Sequence, residues 1–197
     1  MSKSTIISKA MRCVDEVYAG VDTATNEELF TYSSFIMEAV RWVVDMVPLR
    51  HLGYCVDDLV LSEYKVSDDG VGKGYVGLDF GRLLHIKAAD WKRKVTSLML
   101  DTDPRYAQQS DIVLRGNPAR PVAVLCEGGN CIELYTTKSE ETPTGEYVIY
   151  DADRLPAKLE DITAWKLAEI VLMSINDTAS ATICAARVND ILNQLQS

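Results

Sequence analysis

The residue types that carry most protein chemistry are sparse in this chain and poorly spaced for it. Cys126 and Cys131 stand in a C-x4-C spacing, two thiols that would serve as half of a zinc site. The remaining ligands are missing from the pattern, since His51 and His85 sit in no ligand-like spacing to them or to each other. Two cysteines facing each other across a hairpin is the plainer reading, and no metal or cofactor is assigned. Gly70-Val71-Gly72-Lys73-Gly74 invites comparison with a phosphate-cradling loop. Such a loop must lie between a strand and a helix N-terminus whose amides point at the phosphate, whereas this one lies between two strand-like tracts. A nucleophile with its base would need His85 or His51 beside serine or cysteine, and no G-x-S-x-G elbow or comparable motif accompanies either histidine. The adjacent acids Asp57-Asp58, Asp68-Asp69 and Glu140-Glu141 fall in loop-like tracts, where paired carboxylates are solvated. Asn176-Asp177-Thr178 has the form of a glycosylation acceptor and reads as a helix connection. No residue is assigned a catalytic role.

The elements that must position these side chains have a telling order: helices at both ends and a hairpin-rich middle. Residues 4–19 predict a helix with Ile7, Ala10, Met11, Val14, Val17 and Tyr18 on one stripe and Gly20 ending it. Thr25 and Glu28 have capping-box spacing before a second helix, whose stripe runs Leu29, Tyr32, Ile36, Ala39, Val40, Val43 and Val47 until Pro48. Phe30, Met37, Trp42 and Val44 lie off that stripe, which predicts packing on two sides. In the middle, residues 63–67 and 74–78 flank the glycine-studded segment 68–73 as a hairpin, with its tip near Gly72. Residues 82–88 and 91–96 are further strand candidates, and Lys92, Arg93 and Lys94 mark a solvated or interfacial face. The polar tract 98–116, with Pro104 inside, is long enough to expect a functional loop. Residues 121–126 and 131–136 form the clearest hairpin, closed by Glu127-Gly128-Gly129-Asn130, and 147–150 adds a strand. Leu155-Pro156 opens a third helix to Ile175, about 30 Å long and apolar nearly all round, hence central. The fourth helix, 177–196, carries Ala181, Cys184, Ala185, Val188, Ile191, Leu192 and Leu195 and pairs antiparallel with the third.

The expected fold is therefore α+β: a single domain over 1–197, with a helical bundle from 1–50 and 155–197 and a central β-rich antiparallel insertion over 54–153. The 197 residues, 47% hydrophobic and 25% charged, suffice for one well-cored domain. Apolar runs are too short for a membrane span, and the first residues lack the apolar core of a signal peptide, so synthesis in a cytosol and no membrane partner are expected. Five scattered cysteines do not resemble a disulfide framework. A formal charge of −9 argues against broad phosphate binding.

In this order Leu78-Asp79-Phe80 leads to Arg82-Leu83-Leu84 and Trp91-Lys92-Arg93-Lys94-Val95. Tyr106, Gln108-Gln109, Asn117-Pro118 and Arg120-Pro121-Val122 follow, and Tyr147-Val148-Ile149-Tyr150 precedes Leu155-Pro156 and the alanine-containing helix pair. In this pattern, spread over almost the whole chain, the protein resembles the head-to-tail adaptor (neck ring) proteins of short-tailed phages, including those of crAss-like gut phages. The resemblance implies a helical bundle with a β-rich insertion, in a virion protein assembled in the host cytoplasm into a dodecameric ring between the portal and the adjacent ring or tail proteins. Viral DNA would pass through the lumen without sequence-specific binding. Twelve copies would carry on the order of −100 in formal charge, an acidic sleeve in which DNA slides. The candidate interface residues are Trp42, Gly72, Lys73, Tyr106, Gln108, Arg115, Gly128 and Gly129. Competing expectations are another phage structural protein, such as a tail-completion or decoration factor, and a cytosolic enzyme or small-molecule-binding protein with the hairpin region as pocket wall. Portal contact would separate the first competitor, and a deep pocket with convergent polar groups the second.

Overall fold

A computed structural model of the chain describes residues 2–17 and 26–196, without the side chains of residues 26–30 and 54. Among the described residues there are four α-helices and eight strands, the helices toward both ends and the strands between them, so the class is α+β. The chain divides into two compact units, Met1–Cys55 with Tyr150–Ser197, and Val56–Ile149. The sequence places one domain with an insertion bounded near 54 and 153; the unit boundaries lie a few residues inside those positions.

The helical unit contains α1 (Lys3–Val17), α2 (Asn26–Met46), α3 (Glu160–Ser174) and α4 (Thr178–Gln196). The central element is α3, which packs against each of the other three. Its Ile162, Ala164, Leu167, Ala168 and Leu172 are fully buried. Met173 and the following Ile175 are exposed, so its apolar surface is less completely covered than expected. It is also shorter than expected. Pro156 has an extended ψ of 142°, a 3-10 turn spans Ala157–Leu159, and the α-helix starts only at Glu160. Its 15 residues give about 22 Å. Glu160 and Asp161 at that N-terminus both pair with Lys9 of α1, the side of the helix dipole that favours acids.

In α2 the stripe is as expected: Tyr32, Ile36, Ala39, Val40, Val43 and the following Val47 are buried, joined by Val44. The helix ends at Met46, because Val47 precedes Pro48 and is pushed out of helical geometry. In α1 the buried stripe is Ile6, Ala10 and Cys13 instead of the one starting at Ile7. The i, i+4, i+7 series meets its neighbours, and Ile7, Met11 and Val14 flank it, partly buried. Tyr18, Gly20, the Thr25–Glu28 box and the side chains of Leu29 and Phe30 lie outside the described residues. Ala181, Cys184, Val188 and Leu192 bury the inner face of α4. Asn176, at φ 62°, ends α3 in the left-handed region, and Asp177 Oδ1 accepts the Ser180 N–H to open α4.

The β-rich unit contains two sheets. One is β1 (Val56–Asp58), β8 (Thr144–Ile149) and β4 (Phe80–Lys87), all antiparallel. The other has the order β2 (Ser62–Val66), β3 (Val71–Tyr75), β7 (Cys131–Tyr135), β6 (Val122–Cys126), β5 (Met99–Leu100), antiparallel except for the β5–β6 edge. The hairpin β6–β7 has the expected register, with Cys126 opposite Cys131. Two expectations fail. Residues 91–96 form no strand, only a single bridge from Val95 to Ile86, because Trp91 leaves the edge to bury in the core and bond its indole N–H to Thr136 O. The tract 98–116 is less irregular than expected, since it supplies β5 and a 3-10 turn over Pro104–Ser110.

Period-two alternation in β6 and β7 splits their side chains between two clusters. Ala123, Ile132 and Leu134 join Leu61, Phe80, Leu83, Ile86 and Trp91 in the main core of this unit. Val124, Cys126, Cys131 and Tyr135 face the other way into a smaller cluster with Val71, Met99, Tyr106 and Val122.

Candidate interface on the β-rich unit

The smaller cluster is where the sequence-selected residues meet. Residues 101–116 lie over this face of the sheet and are held by three side chains, of which Tyr106 and Arg115 reach outside the tract and Gln109 bonds within it. Tyr106, on the 3-10 turn, packs against the apolar part of the cluster and points its hydroxyl to Glu133 Oε2 at 3.2 Å. Tyr135 donates to the same oxygen at 2.8 Å, so one carboxylate in the middle of β7 holds two phenols. Burial raises both phenol pKa values, most for Tyr135, and the carboxylate adds to it; each therefore acts as a hydrogen-bond donor at neutral pH. The neighbouring Cys126 thiol is pushed up to about 12 by burial, then by Glu133, which leaves it protonated and inert.

Gln109 is the second fastener: it is buried, and its Oε1 accepts the Gly116 N–H at 2.9 Å. Arg115 is the third. Its guanidinium lies 5.5 Å over the Tyr135 ring and donates through Nη1 to Asp69 O at 3.0 Å, while its shielded Nε and Nη2 find no acceptor among the described residues. Between Gln109 and Arg115 the chain turns outward. Asp111 Oδ1 caps the Val113 N–H at 2.8 Å, and Asp111 O accepts from Arg115 N at 2.8 Å. The three residues at the apex, Ile112, Val113 and Leu114, are 82%, 83% and 60% exposed.

The other selected residues distribute as follows. Lys73 pairs with Glu127 at 2.6 Å, beside Gly128 and Gly129. Glu127, Gly128 and Gly129 all have positive φ, 54°, 67° and 97°, and glycine takes up that conformation without the Cβ clash that Glu127 carries. Gly72 is a correction. It is buried inside β3 opposite Leu134, and the tip of its hairpin is Asp68-Asp69-Gly70. A Cβ at Gly72 would stand 2.9 Å from both Thr137 Cγ2 and Tyr64 Cε2, so the glycine admits the Tyr64 ring. Gln108 is exposed beside the buried Gln109. Trp42 belongs to the helical unit, half-buried on α2 with the Lys166 ammonium 4.8 Å from its ring. Thus Tyr106, Arg115 and the unselected Glu133, Tyr135 and Gln109 converge, Lys73 and the glycines form a neighbouring turn, and Gly72 is internal. Glu133 was visible as the one charge in the apolar strand Cys-Ile-Glu-Leu-Tyr, and the Ile-Val-Leu triplet as an apolar island in a polar loop.

Both histidines are engaged on both ring nitrogens. His85 Nε2 accepts from Lys94 Nζ at 3.1 Å, and its Nδ1 faces Glu146 Oε2 at 3.6 Å. A lysine ammonium can only donate, so this chain ties residues 91–96 to the sheet and offers no free imidazole lone pair to a substrate. His51 Nδ1 likewise accepts from Lys158 Nζ at 2.9 Å, and its Nε2 lies 3.0 Å from Leu195 O at the end of α4 and 3.3 Å from Arg50 Nε. All five cysteines are free and buried. No group of three or more histidine, cysteine, aspartate or glutamate residues among the described residues is placed to hold a metal. No helix among them is long and apolar enough to cross a membrane.

The arrangement is a built ledge: a polar and aromatic base on the sheet that holds three apolar side chains in water. No protein-family model matches the chain, and no curated protein matches it.

Proposed function

We propose that this protein is a ring-forming structural component of a phage neck, joining the portal to the next ring or tail protein around the DNA channel. The observation that carries the reading is the architecture. Helices from both chain ends gather into one unit, and a β-rich unit is inserted between them, the arrangement that the adaptor resemblance implies. The ledge adds support, because soluble monomers seldom hold contiguous apolar side chains fully in water.

In this reading the work of the protein is interface chemistry. Ring closure requires two different patches on each copy, related by a rotation that brings the last copy back to the first. The acidic balance of −9 per chain repels DNA from the lumen wall and keeps its passage unspecific. The test is electron microscopy of the purified protein, alone and mixed with the portal of the same virus. Closed rings, twelve-fold by the resemblance, are expected alone or on the portal; a monomer that ignores the portal would sink the proposal.

A further inference from the structure

We infer that Arg50, His51 and Lys158 form an anion-binding site on the helical unit, which takes a phosphate group: inorganic phosphate or a phosphomonoester. The site stands independently of the ring reading, since no contact between subunits enters it.

Three observations carry it. The first is convergence. Arg50 and His51 lie on the 3-10 turn Leu49–His51 that follows α2, and Lys158 lies on the turn Ala157–Leu159 that precedes α3. Their side chains meet beside the end of α4. Lys158 Nζ is 2.9 Å from His51 Nδ1, Arg50 Nε is 3.3 Å from His51 Nε2, and Arg50 Nη2 donates to Leu195 O at 2.8 Å. Leu52 and Leu159, the next residues along, are fully buried and anchor both turns, while Arg50 and Lys158 stay exposed.

The second is a missing acid. The chain has 29 acidic residues for 20 lysines and arginines, and Lys9, Lys73 and Lys166 all pair with carboxylates. Arg50, His51 and Lys158 pair with none among the described residues. The third is a mismatch of donors and acceptors. A neutral imidazole has one N–H and one lone pair. When Nδ1 accepts from Lys158, the ring proton sits on Nε2, facing Leu195 O at 3.0 Å, and Arg50 Nε meets an N–H. The other tautomer satisfies Arg50 and turns an N–H toward the Lys158 ammonium, and a protonated ring does both. In every state a cationic donor is left over. An oxyanion that reaches Arg50 and Lys158 supplies the acceptor and the negative charge together. Two permanent positive charges match a phosphomonoester, with about −1.5 to −2 at neutral pH, better than a single carboxylate. The guanidinium fork and the ammonium are both suited to phosphate oxygens. The net acidity of the chain opposes broad phosphate binding and leaves room for one local site.

The experiment is a titration of the full chain with inorganic phosphate at fixed pH and ionic strength, chloride being exchanged for phosphate. The readout is proton–nitrogen NMR of the ring signals of the two histidines. His51 is expected to shift and saturate. His85, held between Lys94 and Glu146 in the β-rich unit, is the internal control and should not move. K158Q and R50Q should each weaken binding about 10-fold or more, since each removes a charge-assisted contact. Arg50 also holds Leu195 O, so K158Q, whose side chain bonds His51 alone, is the arm that leaves the fold intact. O-phosphoserine and serine are titrated in the same way. Tighter binding of O-phosphoserine than of phosphate assigns the site to a phosphomonoester, weaker binding to the free ion, and serine should leave His51 unmoved. An absent or linear His51 shift, an equal shift of His85, or unchanged affinity in K158Q overturns the site.

Discussion

Replacing Glu133 by alanine tests the central claim about the ledge, that one carboxylate on β7 holds residues 101–116 in place. In the native protein Glu133 Oε2 accepts Tyr135 Oη at 2.8 Å and Tyr106 Oη at 3.2 Å. Tyr135 is 7% exposed, so without its acceptor the hydroxyl has almost no water to turn to. A hydrogen bond to a charged group contributes about 1.5–3 kcal/mol, and a stranded buried donor costs about 1–3 kcal/mol. The shorter and better buried Tyr135 bond falls within that range, at about 2 kcal/mol. Tyr106 is half-buried and its bond is longer, so about 1 kcal/mol is appropriate. Glu133→Ala should then cost about 3 kcal/mol, Tyr135→Phe about 2 and Tyr106→Phe about 1. Because the groups share an atom, Tyr135→Phe in the Glu133→Ala background should be nearly neutral. The assay is urea unfolding followed by Trp91 fluorescence in a Trp42→Phe, Trp165→Phe background; Trp91 is the tryptophan of the β-rich unit and lies 2% exposed in its core. Limited proteolysis should at the same time show new cleavage within residues 101–116. A cost below about 0.5 kcal/mol, or additive effects of Glu133→Ala and Tyr135→Phe, would refute the bridging role.

Leu167→Ala should destabilise the helical unit by about 2–5 kcal/mol, read by thermal or urea unfolding, because Leu167 is fully buried on the central helix. Gly72→Ala should cost about 1–3 kcal/mol in the β-rich unit, since its Cβ would stand 2.9 Å from Thr137 Cγ2 and from Tyr64; Tyr64→Ala added to it should recover part of the loss. Cys13 and Cys184 have thiol pKa values raised from 9.0 to about 12 and about 11, mainly by burial. The folded state holds those protons more tightly than the unfolded chain. Their contribution is therefore complete below pH 9 and is lost as pH rises toward 11–12, and denaturation midpoints should fall over that window and recover in the Cys13→Ala, Cys184→Ala variant.

What could be read along the chain was whatever depends on near neighbours. The stripe from Tyr32 to Val47, the β6–β7 hairpin with its Glu-Gly-Gly-Asn closure, and the order of helices around a strand-rich middle are local periodicities and turn chemistries, and each was legible as such. The α1 stripe was misplaced by one residue because Ile6 and Ile7 are equally apolar, and only the packing of α1 in the helical unit distinguishes them. The sequence opens the third helix at Leu155-Pro156, although the extended ψ of Pro156 belongs to the turn before it; sequence marks the neighbourhood of such a boundary and not its geometry. The ledge lies beyond local reading altogether. Glu133 meets Tyr106 across 27 residues, and Arg115 reaches Asp69 across 46. The β1–β8 pairing joins Val56 to Val148, and the β5–β6 edge runs parallel. Such contacts follow from which faces two distant segments have left over once their own hydrogen bonds and apolar stripes are satisfied. The chain alone showed Gly72 as a turn residue and Trp91 as part of a strand; the fold placed the glycine under a tyrosine ring and the tryptophan in the core, because only there do close backbone approach and buried aromatic area find a partner.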